Sequence, residues 1–128
     1  MPLILTHFEK AIASLKEVLA LEKDDIIRDS AIQRFEYTYE LAWKLMQRRL
    51  KEDVGREEVA ALSRKDLFRL AAEKKLISDP RPWFEYYEAR NLTAHTYDES
   101  LAEEVYRAAA RFIHDAESLF HELTRRND

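Results

Sequence analysis

Only one glycine, Gly55, and three prolines, Pro2, Pro80 and Pro82, interrupt 128 residues. Strand-rich folds need many tight turns, and tight turns need residues that tolerate a positive φ or fix a negative one. This chain has little of that material, while Ala, Leu, Glu, Lys and Arg abound. Helices are therefore favoured throughout, and the expected fold class is all-α. The length suits a single domain over residues 1–128 with a modest core.

Apolar spacing divides the chain into about five helices. Leu3, Leu5, Phe8, Ile12, Leu15, Val18 and Leu19 recur every three to four residues and predict a first amphipathic helix over 3–21. Asp24 and Asp25 give an acidic start to a long second helix, Asp25 to Asp53, with no glycine or proline inside it. Its stripe of Ile27, Ala31, Phe35, Thr38, Ala42 and Leu45 is widened by Tyr39, Trp43, Met46 and Leu50. An arc that wide suggests burial on two sides, against its own bundle and against a partner. Gly55 is a plausible stop, and 54–62 reads as a connection.

Ser63-Arg64-Lys65-Asp66 has the form of a capping box with Asp in the Glu position. It predicts a short helix through about Lys75, with Leu67, Leu70 and Ala71 inward. Asp79 followed by Pro80 and Pro82 marks the start of a fourth helix, since first-turn prolines lose no donor. Trp83, Tyr86, Tyr87 and Arg90 follow on it. Asp98 with Glu99 caps a fifth helix to about Arg125, striped by Leu101, Val105, Ala108 or Ala109, Phe112, Ala116, Leu119, Phe120 and Leu123. The break before it falls at His95 to Asp98.

Several classes of chemistry are excluded. Without cysteine there are no disulfides, thiolate zinc sites or Cys nucleophiles. No carboxylate–histidine spacing marks a metal site, and His7, His114 and His121 stand alone; no metal and no cofactor are expected. No apolar run approaches the length of a membrane span, and no signal pattern opens the chain, so a soluble cytoplasmic protein is expected. The net charge of −4 argues against a general nucleic-acid coat. Residues 44–75, however, carry ten Lys or Arg against six Asp or Glu, a local basic excess able to meet phosphate. Phe35, Tyr39, Trp43, Trp83 and Tyr87 read as packing. Glu36 and Glu40, four apart, have the spacing of an acid–base pair, but that spacing is common on solvated faces. Glu40 with Lys44 reads as an ordinary surface pair.

The chemistry concentrates in Arg90-Asn91-Leu92-Thr93-Ala94-His95-Thr96-Tyr97. Arginine is a permanent cation, and histidine is the side chain that exchanges protons near neutral pH. Together they suit an acid–base site directed at phosphate. If the segment is helical, Asn91 and His95 share a face and the carboxamide can orient the imidazole. Arg90 and His95, five apart, converge best where the helix ends, or across a second copy of the surface. The plainer reading is a surface cation, a partly buried ring and a packing aromatic.

Arg90-Asn91-x3-His95-x-Tyr97 resembles the signature of the HEPN superfamily, small helical proteins in which Arg and His carry metal-independent RNA cleavage. A wider resemblance covers nearly the whole chain. Arg34-Phe35-Glu36-Tyr37-Thr38-Tyr39-Glu40-Leu41-Ala42-Trp43-Lys44, the Ser63–Arg69 stretch, Trp83 and Arg90–Tyr97 are similar to the nucleotidyltransferase substrate-binding proteins, a branch of that superfamily. The resemblance implies an antiparallel up-and-down bundle with a four-helix core that forms a homodimer. It implies a separate partner, a minimal nucleotidyltransferase of the polymerase-β type, and RNA or nucleotide as ligand. It further implies Arg90 and His95 as catalytic, Asn91 as supporting, and Tyr97 as the acceptor of AMP that silences a ribonuclease toxin of a toxin–antitoxin pair. A non-catalytic nucleotide- or substrate-binding subunit of a two-component nucleotidyltransferase is the alternative. One chain holds one motif histidine, whereas this cleavage wants a base and an acid, so a two-fold dimer would supply both.

Overall fold

A computed structural model describes residues 2–127 of the chain. Six α-helices lie among them: α1 (Thr6–Leu19), α2 (Asp25–Asp53), α3 (Arg56–Ala60), α4 (Arg64–Glu73), α5 (Pro80–Leu92) and α6 (Glu99–Arg126), with a 3-10 turn at Thr93–His95. The caps explain most boundaries. Asp24 accepts a hydrogen bond from the Ile27 amide at 2.7 Å and opens α2. Asp79 accepts from the Arg81 amide at 2.9 Å, with proline in the first turn of α5. Asp98 accepts from the amides of Ser100 and Leu101 at the start of α6. These bonds, with one from the Ser100 hydroxyl, hold the Asp98 carboxyl below its usual range.

Several details differ from the sequence reading, among them the ends of α1 at Leu19 and of α5 at Leu92, earlier than residue 21 and the break at His95 to Asp98. α1 begins three residues later than expected, because the Leu3 amide donates instead to Asn127 Oδ1 at 2.6 Å and Asn127 Nδ2 returns a bond to the Leu3 carbonyl. The stretch 54–62 is not merely a connection: Gly55 turns at φ 140° and a single helical turn, α3, follows, fixed by fully buried Val59. The capping box of α4 is half formed. Ser63 Oγ accepts from the Asp66 amide at 3.1 Å, but the short Asp66 carboxylate pairs outward with Arg69. α4 also ends two residues early, at Glu73. Lys75 adopts φ 62°, its amide bonds the Ala72 carbonyl, and the Leu76 amide bonds the Ala71 carbonyl, a Schellman closure over buried Leu76.

Ion pairs fix the directions of the helices. Arg28 near the start of α2 meets Glu99 and Glu103 at the start of α6, and Asp53 at the end of α2 meets Arg126 at the end of α6. The two long helices therefore run parallel, side by side. α1 runs against both, with Leu3 at Asn127 and Lys16 at Glu117. α5 is likewise antiparallel, with Tyr86 donating to Asp115 and Arg90 reaching Glu40. The order α1, α2, α5, α6 is thus the expected up-and-down, antiparallel four-helix core, with α4 packed on the outside of α5.

Phe112 on α6 sits at the centre. Its ring lies 5.2 Å from Phe35, 5.7 Å from Trp83 and 5.1 Å from Tyr86 between centroids, edge-on to each. The aromatics of the sequence stripes are therefore mostly core. Burial raises the Tyr86 phenol pKa, and its bond to Asp115 adds to the effect. Emptying the Phe112 position would cost about 3–5 kcal/mol. No helix among the described residues is long and apolar enough to cross a membrane.

Candidate functional site

The last turn of α5 lies against the middle of α2. Arg90 is one-third exposed, and its Nε donates to Glu40 Oε1 at 3.0 Å. Its Nη1 donates to Thr93 Oγ1 at 3.3 Å, while the Thr93 hydroxyl donates to the Arg90 carbonyl at 2.8 Å. The guanidinium is thus held through Nε and Nη1, and Nη2 has no hydrogen bond among the described residues. Glu40 uses its second oxygen to accept from Trp43 Nε1 at 3.1 Å. Lys44 stands farther off, 3.9 Å from the same carboxylate.

The cluster continues from α2 to α4. Arg64 stacks on the Trp43 ring with its guanidinium carbon 3.4 Å from the centroid, and lies 5.3 Å from the Tyr87 centroid. Its Nη1 donates to the hydroxyl of Tyr39 at 3.2 Å. Tyr39 is fully buried, and burial raises its phenol pKa, with the Arg64 bond opposing. One connected layer therefore runs Arg90, Glu40, Trp43, Arg64, drawn from three helices.

Past Leu92 the backbone tightens into the 3-10 turn, so the helical face expected to join Asn91 and His95 is not continued. Both side chains are exposed, and no hydrogen bond joins them. His95 instead meets Tyr97 edge-on, with ring centroids 6.1 Å apart. Tyr97 is 85% exposed, the most exposed large hydrophobic residue among those described, on the short turn before Asp98. The chain places Arg90, His95 and Tyr97 at the end of α5 and on the turn beyond it. Arg90 is fastened to α2, and His95 and Tyr97 project from that turn, with no direct bond between the two groups.

Glu40 and Arg64 are residues to which sequence reasoning gave other roles. Glu40 looked like one end of a surface pair with Lys44, and Arg64 like the interior of a capping box. A signal existed only for Arg64, inside the basic 44–75 stretch; nothing local pointed Glu40 at a residue fifty positions away. His7, His114 and His121 are exposed and apart from this layer. A cavity of about 570 Å³ lies elsewhere, lined by Ile77, Trp83, Asp115 and Glu122 among others, and none of its lining residues belongs to the motif.

Comparison with known proteins agrees with this architecture. The family described as nucleotidyltransferase substrate binding protein like matches residues 3–125. A Haemophilus influenzae protein named probable ribonuclease HepT is 38% identical over 104 residues, covering 80% of this chain and 71% of its own. The solved structure of HI0074, also from Haemophilus influenzae and described as the fold of a substrate-binding domain of a nucleotidyltransferase, superposes with a TM-score of 0.88. It is 30% identical and covers 94% of this chain and 99% of that one. A crystal structure from Thermus thermophilus follows at TM-score 0.79 and 39% identity, covering 91% and 98%. The chain belongs to the nucleotidyltransferase substrate-binding protein family, a branch of the HEPN superfamily.

Proposed function

We propose that the protein is a metal-independent endoribonuclease that works beside a minimal nucleotidyltransferase of the polymerase-β type and is silenced by AMP transfer to Tyr97. The observation that carries the reading is a fixed guanidinium in the last turn of α5 followed by an exposed imidazole and phenol on the turn beyond it. The name of the Haemophilus influenzae relative supports it. In cleavage, the ribose 2′ oxygen attacks the adjacent phosphorus as His95 removes its proton. Arg90 meets the charge gathering on the phosphorane oxygens. The bond from phosphorus to the 5′ oxygen breaks, and a protonated His95 from a second copy of the chain supplies that oxygen's proton. A 2′,3′-cyclic phosphate and a 5′ hydroxyl result. The two histidines require a two-fold homodimer with both Arg90–His95 sets on one cleft.

In silencing, the Tyr97 oxygen attacks the α-phosphorus of ATP, with Mg²⁺ and the base supplied by the nucleotidyltransferase, and pyrophosphate leaves. The added phosphodiester is negative and competes for Arg90, and the adenosine fills the cleft. In a toxin–antitoxin pair this would make the present chain the toxin. The description of HI0074 favours a second reading, a non-catalytic substrate-binding subunit of that enzyme.

The deciding experiment incubates RNA with the protein in EDTA, alone and after treatment with the nucleotidyltransferase, ATP and Mg²⁺. The ribonuclease reading expects cyclic-phosphate ends, lost in His95→Ala and lost after modification in mass steps of one AMP that vanish in Tyr97→Phe. No cleavage leaves the binding subunit as the function, and cleavage that survives His95→Ala overturns the assigned mechanism.

A further inference from the structure

The partly buried arginines differ in what neutralises them. Arg28, Arg49, Arg90 and Arg126 each have a carboxylate within 4.0 Å, whereas Arg34 has none within that distance among the described residues and donates to the neutral Ser14 carbonyl at 2.7 Å, with no aromatic ring under it. Arg64 has no carboxylate within that distance among the described residues; its one bond is to the neutral hydroxyl of Tyr39. Its Nε and Nη2 carry no hydrogen bond among those residues. A guanidinium drawn partly out of water, stacked at 3.4 Å on an indole and left without a counter-ion, retains its capacity for a bidentate bond to an anion. The indole that supports it is tied through Glu40 to Arg90.

We infer that Arg64 is a second phosphate-binding residue, which grips a phosphate of the RNA strand beside the one addressed by Arg90. The inference rests on the ribonuclease reading. It extends the site along α2 and α4 and gives the local basic excess of residues 44–75 a specific role. Stacking on Trp43 fixes the plane of the fork before RNA arrives, so little side-chain freedom is lost on binding. A residue that only braced α4 against α2 would need the stack and the Tyr39 bond, and its loss would lower stability while leaving RNA affinity and its salt dependence alone.

That distinction sets the test. In a His95→Ala background, Arg64→Gln keeps a planar donor and removes the charge; binding of a labelled single-stranded RNA is titrated at several salt concentrations. Affinity should fall about tenfold and the slope of log K against log salt should shrink by about one, measured at a temperature where the variant is folded. Unchanged affinity and slope make Arg64 a brace and overturn the inference. Should Arg64→Gln fail to fold, Arg64→Lys carries the test: loss of the fork should weaken binding about threefold with the slope kept, and unchanged affinity overturns the inference. The same titrations with ATP separate the sources of phosphate, and weakening confined to ATP overturns the assignment to RNA. A His95→Ala protein that binds no RNA removes the ribonuclease reading with it. RNA cleavage and binding that ignore Arg64 remove only the inference.

Discussion

Arg28, which is buried, and Arg90, which is one-third exposed, both lie near the ends of helices, and their surroundings are opposite. Arg28 is 6% exposed, and its Nη1 reaches Glu99 at 3.4 Å, Glu103 at 3.3 Å and Asp25 at 3.7 Å, while Nε reaches Asp29 at 3.3 Å. Lys23 pairs with the same Glu103. That end of the bundle has more negative charge than the cation needs, and the surplus ties α2 to α6. The Arg90 face has one carboxylate, Glu40, in the layer that also holds Arg64. Where anions outnumber the cation the charge is spent on architecture. Where cations outnumber the anion, donors are left for a ligand that brings its own negative charge.

The strongest way to break this comparison is to remove the anion of the poorer region. Glu40→Ala frees Arg90 to swing toward solvent, and misplacement of a charge-stabilising group by an ångström or so costs about a hundredfold. Single-turnover RNA cleavage should fall by about that factor while helix content stays constant. Cleavage that is unchanged would show that Arg90 needs no support from α2.

Acid sharpens the contrast from the other side. The hydrogen bond from Lys23, and then that from Arg28, holds the Glu103 carboxyl below its ordinary range. Bonds from Arg125 and Arg126 lower Glu122 to about 2 at the opposite end. A carboxylate depressed in the folded state contributes stability that is present above its unfolded pKa, near 4.3, and lost as pH falls through the folded value. The melting temperature should therefore hold near neutrality and decline from about pH 4.5 toward 2. Glu103→Gln should flatten part of that decline in a pH series of thermal melts; an identical slope would remove the Arg28 end from the account.

The smallest expected effect concerns Lys44, whose exposed ammonium lies 3.9 Å from Glu40. Lys44→Ala should cost no more than a few tenths of a kcal/mol in denaturant unfolding. A loss several times larger would mean that Glu40 is held from the solvent side, and not by Arg90 and Trp43.

Sequence reading served this protein well wherever the determinants are local. Asp24, Ser63, Asp79 and Asp98 cap their helices as their positions imply, and the Asp25–Asp53 helix has the limits that its glycine- and proline-free run predicts. It failed where a contact crosses the bundle. α3 is one turn long, too short for an apolar period, and is held by the burial of Val59. Asn91 and His95 share a face on an ideal helix, but the backbone becomes 3-10 between them. Arg90, His95 and Tyr97 were legible as a motif because they are neighbours in sequence, but Arg90 bonds to α2 while His95 and Tyr97 meet each other on the turn beyond. Glu40 and Arg64 were not, because only the packing of α2, α4 and α5 brings them to Arg90.

The most direct test places the two regions in one experiment: thermal melting and RNA cleavage measured together on Arg28→Ala and Arg90→Ala. The account predicts opposite outcomes. Arg90→Ala should melt close to the parent and lose cleavage about a hundredfold or more. Arg28→Ala should melt well below the parent, since it leaves several clustered carboxylates without their cation, yet cleave normally at temperatures where it is folded. An Arg28→Ala protein that melts like the parent but no longer cleaves, or an Arg90→Ala protein that cleaves at the parent rate, would contradict it.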